Sequence, residues 1–486
     1  MSGTRRETLQ KFALGGAVVF AGTAPGLRAA AAPLPIRKEI TTYALNDPMV
    51  QTLRDGVRLL KARPAGTGPN WTDLANIHGT AAGFNKCPHG NWYFLPWHRA
   101  YLLMYEQQIR VVTKNPSFAM PYWDWAAHRT VPQAFKDATY NGQPNPLYVA
   151  ARNNTWSIPD AFVGPSVMSA IYGQTNFELF GSSRPAGQNN LNPTWIKGHG
   201  TQGTLEATPH NNIHVNLGGY MPNGNSPMDP IFLMHHGNID HIWWSWNCRG
   251  RSNTTDPLWL NMPFTNNYYA PNGSWTTYSP SGVQNIATLG YSYGLCLSRL
   301  VFPPYRLLAN ARLAEIFKAG NLKATVPKGA LALSLTNRVN GAALESVGKP
   351  PPASLRNTFS NLSAVKVAPQ LKAEQQTSQV VALIHDLTPP SDTVEVLVFA
   401  GIGEIPAGAD PKGPNYVTTI GFFGARAHGA MGVSASVDLT DHLRGLTGAA
   451  AADQVHVRLV ARAGDGRADP AVQATVAHAE VEVVIV

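Results

Sequence analysis

Asp229-Pro-Ile-Phe-Leu-Met-His-His-Gly-Asn-Ile-Asp-His-Ile-Trp-Trp244 is the stretch whose reading decides the fold. It reads as a buried helix with its own start signal. Asp229 can cap the first free N–H groups, and Pro230 fits the first turn. At steps of four, Phe232, His236 and Asp240 fall on one face, one turn apart. That face offers an aromatic wall, an imidazole able to bind a metal, and a carboxylate beside it. Buried polar groups are costly without partners, so an apolar helix carrying His-His and Asp predicts a second half of the same site.

The second half stands just upstream in Thr208-Pro-His-Asn-Asn-Ile-His214. Thr208 and Pro209 read as a cap and a first helical residue. His210 and His214, four apart on a helix, then point the same way. With a third imidazole from the neighbouring helix they make a three-nitrogen site. Imidazole suits zinc, copper, iron and nickel alike, so the ligand type leaves the metal open. H-N-N-I-H lacks the Glu of H-E-x-x-H, which argues against a zinc protease.

A similar set lies further upstream: His78 at the end of Trp71-Thr-Asp-Leu-Ala-Asn-Ile-His78, His89 in Cys87-Pro-His89, and His98 in Phe94-Leu-Pro-Trp-His98-Arg99. Pro96 opens a strongly amphipathic helix, and His98 sits in its first turn. Asp47 to Arg63 shows helical periodicity, with Met49, Leu53, Val57 and Leu60 on one stripe. Residues 130–200, rich in Asn, Gly and Pro, read as long connections. Beyond about residue 322 the texture changes to short β-branched runs between turns: Ala330–Ser334, Gln379–Leu383, Val394–Val398, Tyr416–Ile420, Val433–Val437, Val455–Leu459 and Val481–Ile485. That spacing predicts an antiparallel sandwich or barrel.

The chain has 486 residues, ample for two or three domains, and 12 Trp and 16 Tyr give it dense globular character. The formal charge is +9, falling by three without residues 1–32, and no Lys/Arg run suggests nucleic-acid binding. Three cysteines, Cys87, Cys248 and Cys296, are too few for a disulfide scaffold; Cys248 and Cys296 can pair or stay free. Arg5-Arg6, a short apolar run and Ala29-Ala-Ala-Ala32 form a twin-arginine-type signal layout. The run is too short to anchor a mature chain in a membrane, and the layout predicts an exported protein, periplasmic or secreted. The expected plan is residues 1–32 as signal peptide, 33–305 as catalytic domain, 306–321 as a linker helix and 322–486 as a β-rich C-terminal domain.

Phe94-x-x-Trp97-His98-Arg99 and Asp229-Pro-x-Phe232-x-x-x-His236-x-x-x-Asp240-x-x-Trp243 together resemble the two copper signatures of the type-3 copper family of tyrosinases, catechol oxidases and haemocyanins. The resemblance runs over about residues 35–300, and more loosely beyond. It implies a mainly α, four-helix-bundle dicopper catalytic domain with long loops, followed here by the all-β, sandwich-like C-terminal domain. It also implies two copper ions per chain, one on His78, His89 and His98 and the other on His210, His214 and His236, with O2 as co-substrate. The activity implied is ortho-hydroxylation of monophenols and oxidation of o-diphenols to o-quinones, the precursors of melanin. A catechol oxidase without hydroxylase activity and an O2-binding, haemocyanin-like protein are the alternatives. Small phenols are the expected partners, with no nucleic acid and no stable membrane anchor; a homo-oligomer stays open.

The same resemblance assigns neighbouring residues. Cys87 is similar to the fungal cysteine that forms a thioether with its histidine, here His89. Glu206 is similar to the plant glutamate that holds a water near the second copper, and Asn211 follows a ligand as in enzymes that hydroxylate monophenols. Together they imply a water that takes the phenol proton. Phe94 and Phe232 are expected against the ligand rings. His235 precedes the ligand, and Asp240 is expected to bond a ligand N–H or an arginine. Tyr291-x-Tyr293 resembles the motif that closes the catalytic domain on an N-terminal arginine, here Arg37. Val215, Gly218-Gly219 and Gly224 are expected to leave the mouth open. The C-terminal domain is expected to cover it with Phe422 or Phe423, with Tyr416 behind.

Overall fold

The computed structural model describes residues 34–294 and, beyond them, 331–335, 365–366, 379–387, 394–402, 405, 410–411, 413–424, 432–445, 454–463 and 480–485. The signal layout of residues 1–32, the linker helix of 306–321 and Cys296 lie outside the described residues.

Five helices build the frame. Helix α1, Pro48–Ala62, starts on the Asp47 carboxylate, which accepts from Met49 N at 2.8 Å. It buries Val50, Leu53, Val57 and Leu60. Gly56 brings its backbone against Ile109; a Cβ there would stand 2.6 Å from Ile109 Cγ2. Helix α2, Trp71–His78, is opened by a reciprocal box in which Asn70 and Asp73 each accept the other's N–H. Helix α3, Phe94–Thr113, is buried for most of its length. Helix α4, Asn211–Leu217, follows a wide π turn over Glu206–His210, and α5 is Ile231–Cys248.

The two expected caps fare differently. The Asp229 carboxylate accepts from Ile231 N at 3.1 Å and also takes Arg152 in a two-pronged pair at 2.9 Å per bond. Thr208 is not a cap. The helical path already runs through Glu206–His210 with Pro209 inside it, and the Thr208 hydroxyl meets the Thr418 hydroxyl at 2.8 Å. The wider π turn accommodates the proline that an α turn would reject.

The C-terminal region is β-rich, and each run expected to be a strand is one. Strands β2 (Leu331–Leu335), β3 (Val365–Lys366), β4 (Val380–Leu387), β5 (Val394–Ile402), β6 (Tyr416–Gly421), β7 (Val433–Asp438), β8 (Gln454–Ala463) and β9 (Glu480–Ile485) fall in two sheets. One, with Thr201–Gln202 as β1, has the order β1-β7-β4-β9-β2, the other β6-β5-β8-β3. Alternation places Val380, Ala382 and Ile384 of β4 and Val396, Val398 and Ala400 of β5 in one buried apolar layer. Strand β1, Thr201–Gln202, comes from the helical part and pairs in parallel with β7, Ala435 opposite Gln202. The short β3 and a helix over Thr440–Gly445 carry no period long enough to read from sequence. Cys248 is disulfide-bonded and Cys87 is a free thiol. Among the described residues no helix is long and apolar enough to cross a membrane.

Candidate metal centre

Each of the six histidines singled out by sequence faces the interior, and His89, at 6% exposure, is the most open of them. His78 ends α2, His89 lies on the loop between α2 and α3, and His98 is in the first turns of α3. His210 closes the π turn, His214 follows one turn later in α4, and His236 sits in α5. Ring nitrogens of His210, His214, His235 and His236 lie within 4.8 Å of one another, and so do those of His78 and His89 with the Cys87 sulfur. His98 stands at the seam: its ring is 5.5 Å from His78 and 5.2 Å from His89, and stacks on His236 at 4.5 Å. His235 turns inward as well, parallel to His210 at 5.4 Å, so the second set holds four imidazoles rather than three.

The second ring nitrogens show which side of each ring is free for a cation. His78, His98 and His214 point Nδ1 at the carbonyls of Gly224, Phe94 and Met221, at 2.6, 2.8 and 2.8 Å. His210 points Nδ1 at Asn211 Oδ1, 2.9 Å away. A carbonyl only accepts, so Nδ1 carries the proton and Nε2 is left with its lone pair inward. The Nε2 atoms of His98 and His210 are buried with no hydrogen-bond partner. Nε2 of His214 faces Nε2 of His236 at 3.0 Å, a spacing that suits two nitrogens sharing one cation at about 2.0–2.1 Å from each, as in zinc sites. Burial first, and then the neighbouring imidazoles, hold His98, His210, His214, His235 and His236 well below the usual imidazole range. Neutral rings with bare inward nitrogens fit a pair of soft or borderline metal ions.

Aromatic rings brace this set. Phe94 lies 4.9 Å from His98 and 4.7 Å from His210, and Phe232 stacks on His236 at 4.2 Å. Cys87 Sγ donates to the His78 carbonyl at 3.1 Å and lies 3.7 Å from His89 Nδ1. Burial pushes its thiol well up. Glu206 is fully buried; it accepts from Gly90 N at 2.7 Å and from the Ser182 hydroxyl. Burial pushes its carboxyl up to about 8, against the pull of those two bonds. Asn211 is committed on both ends: Oδ1 serves His210, and Nδ2 donates to Gln202 Oε1 at 3.1 Å and Gly421 O at 2.8 Å.

Asp240 serves arginines, not rings. It accepts from Arg99 Nε, from Arg37 Nη1 at 3.1 Å, and from the Tyr291 and Tyr293 hydroxyls at 2.7 Å each. Burial alone would raise its carboxyl, but Arg99 and Arg37 outweigh that and hold it low. Arg37 also pairs with Glu106 at 2.8 Å and lies over the Tyr291 ring. Arg99 stands in the motif beside His98, and its role follows from that place. Ser182, Gln202 and Arg152 carried no signal in sequence, because their partners lie 24, 9 and 77 positions away, separations that no helix or strand period sets.

The mouth differs from expectation. Gly224 does not open it: a Cβ there would stand 2.6 Å from Gly83 O, and its own carbonyl anchors His78. Gly218 and Gly219 have positive φ, and Gly218 bridges to Arg152. Val215 is buried, at 7% exposure. Of the two phenylalanines, Phe422 belongs to the apolar layer of the β region. Phe423 reaches the histidines, stacking on His214 at 3.8 Å and 19° and lying 5.2 Å from His89 and 5.5 Å from His210. Tyr416 stands behind, its hydroxyl bonded to Ala161 O and Thr419 Oγ1.

A sequence model described as the common central domain of tyrosinase matches residues 69–153 and 137–249, which span all six histidines. Residues 69–249 match the tyrosinase family. A tyrosinase of Hahella sp. (strain CCB-MM4) is 27% identical over 310 residues, 52% of this chain and 62% of that one. Polyphenol oxidase A1 of Vicia faba is 26% identical over 53% of this chain and 47% of its own, and (+)-larreatricin hydroxylase of Larrea tridentata 30% over 47% and 45%. The chain thus spans about half the length of the curated tyrosinase-family relatives it matches. The structure of latent apple tyrosinase superposes with a TM-score of 0.61 at 20% identity, over 94% of this chain and 98% of that one. Latent aurone synthase gives 0.59 at 20% identity, over 94% and 89%. These two show a common fold of helical core and C-terminal β region.

Proposed function

We propose that this chain is a polyphenol oxidase that hydroxylates monophenols at the ortho position and oxidises o-diphenols to o-quinones. The observation that carries the reading is the inward convergence of six imidazoles, with Nδ1 anchored on oxygen in four of them. His78, His89 and His98 would hold one copper ion, and His210, His214 and His236 the other. Bound there, the metals supply reversible two-electron chemistry with O2. The names of the curated relatives, tyrosinase, polyphenol oxidase and (+)-larreatricin hydroxylase, agree with phenolic substrates.

The chain's own part is to position and deprotonate the phenol. Glu206 is raised toward neutrality by its buried setting, so it can hold and release a proton through a water near physiological pH. Each Glu206 oxygen accepts one protein bond and keeps room for a second. Asn211 Oδ1, shared with His210, marks the second side of that water. The face of His214 offers the phenol ring a stacking surface, which Phe423 covers in this form. The C-terminal region therefore acts as a lid, and the enzyme is latent until the lid is displaced. Cys87 would join His89 in a thioether in the mature protein, O2 taking up the thiol hydrogen and one ring C–H hydrogen as H2O2; intact mass would read lighter by a pair of hydrogens, and an unchanged mass would refute the bond. The signal layout makes the protein exported. Oxygen uptake on a monophenol and on its catechol, with the lid displaced and copper replete, tests the reading. Turnover of both supports it, turnover of the catechol alone reduces it to a catechol oxidase, and O2 binding without turnover overturns it.

A further inference from the structure

Gly421 O is a backbone carbonyl and can only accept, so the Asn211 atom facing it at 2.8 Å must be Nδ2. The orientation of the whole amide follows: Oδ1 faces His210 Nδ1, which must carry the proton, and His210 Nε2 is left bare. The other Asn211 hydrogen goes to Gln202, so the Gln202 atom at 3.1 Å must be Oε1. Two acceptors thus hold Asn211 in one orientation, one from the β region and one from the helical part. Gly421 belongs to β6 and leaves with the lid. Gln202 stays.

Gln202 is built for that task. It is 4% exposed, on the short strand β1. Gly203 presses the loop onto its neighbour, since a Cβ there would stand 2.5 Å from Ser182 N; Gly200 does the same, 2.6 Å from Ser183 O. Ser183 N donates to Thr201 O, Thr201 N to Ser183 Oγ, and Gly203 N to Ser182 Oγ. The backbone on both sides of Gln202 is therefore tied to residues 182–183 of the helical part, independently of β7.

We infer that Gln202 is a positioning residue for His210: by accepting from Asn211 it keeps Asn211 Oδ1 on His210 Nδ1 and the Nε2 lone pair turned to the metal. This rests on the proposed dicopper reading. Once the lid and its Gly421 carbonyl have left, an amide without that acceptor can turn its NH2 group to His210, which then keeps its proton on Nε2 and must shed it before binding a metal. Groups that orient metal-binding imidazoles typically cost about 10–100-fold in affinity when removed.

The test is anaerobic titration of the metal-free full-length chain, its lid displaced by mild detergent, with copper(I) against a chromophoric chelator, for wild type, Gln202→Glu and Gln202→Met. Glu keeps an acceptor at the same reach; Met keeps the length and removes it. The expected result is two ions per wild-type chain, one of them bound roughly tenfold or more weakly in Gln202→Met, with Gln202→Glu close to wild type. The ion on His78, His89 and His98 is the folding control and keeps its affinity. Equal affinities in wild type and Met, or Glu as weak as Met, would overturn the assignment. A wild-type chain that binds no pair of ions would instead sink the dicopper reading itself.

Discussion

Replacing Phe423 by alanine should unmask the enzyme. The Phe423 ring is 1% exposed, stacks on His214 at 3.8 Å, and packs with the helical core rather than with the β region that carries it. Truncating a buried phenylalanine to alanine costs about 3–5 kcal/mol. If that contact is lost wholly on opening, its removal shifts the closed-to-open balance by an equal amount. At ~1.4 kcal/mol per factor of ten, the open population rises about a hundredfold to a few thousandfold, up to the ceiling of a fully open enzyme. The side chains of Asn211 and Asn212 still donate to Gly421 O and Thr419 O, so the lid remains tethered while the plug is gone. The assay is the initial rate of quinone formation from a catechol by the copper-replete full-length chain, without protease or detergent. Phe422→Ala is the comparison, because Phe422 lies in the apolar layer of the β region and should lower the melting temperature. A Phe423→Ala rate equal to wild type, with wild type itself stimulated by lid displacement, would refute the plug.

Glu206→Gln should lower monophenol turnover by about 10²–10⁴-fold, the range of a lost general base, and diphenol turnover far less; equal losses on both substrates would remove the base assignment. The same carboxyl makes stability depend on pH. Its folded value of about 8 lies above the usual 4.5, so between those values the folded chain keeps a proton that the unfolded chain has released. Stability of the metal-free chain should therefore fall as pH rises through that window, by at most ~1.4 kcal/mol per pH unit from this group. Glu206→Gln should flatten that part of a denaturant-unfolding series, and an unchanged slope would contradict the buried proton. Asp240→Ala strands Arg37 and Arg99, both 1% exposed, and should cost about 3–5 kcal/mol in the metal-free chain; a loss below ~1 kcal/mol would mean the two tyrosines and Glu106 suffice.

What sequence could tell followed the physics of local pattern. Helical steps of four placed His210 over His214 and Phe232 over His236, and alternation marked the β strands beyond residue 322. Positions set by irregular backbone were opaque. Gly224 looked like loop freedom and is a packed support under His78, because only the fold brings the backbones of Gly83 and Thr80 against it. Thr208 looked like a cap, and the π turn that displaced it has no sequence period of its own. The pairing of Gln202 with Asn211 depends on a loop held by Gly200 and Gly203, which reads in sequence as ordinary turn chemistry. Phe422 and Phe423 were equivalent until the side each faces was fixed by the register of β6.

The count of copper bound per chain tests the central claim most directly. Metal analysis of the reconstituted full-length protein should give two copper ions per polypeptide, with one lost in His236→Ala. One ion or none in the wild type, or two that survive that substitution, would contradict it.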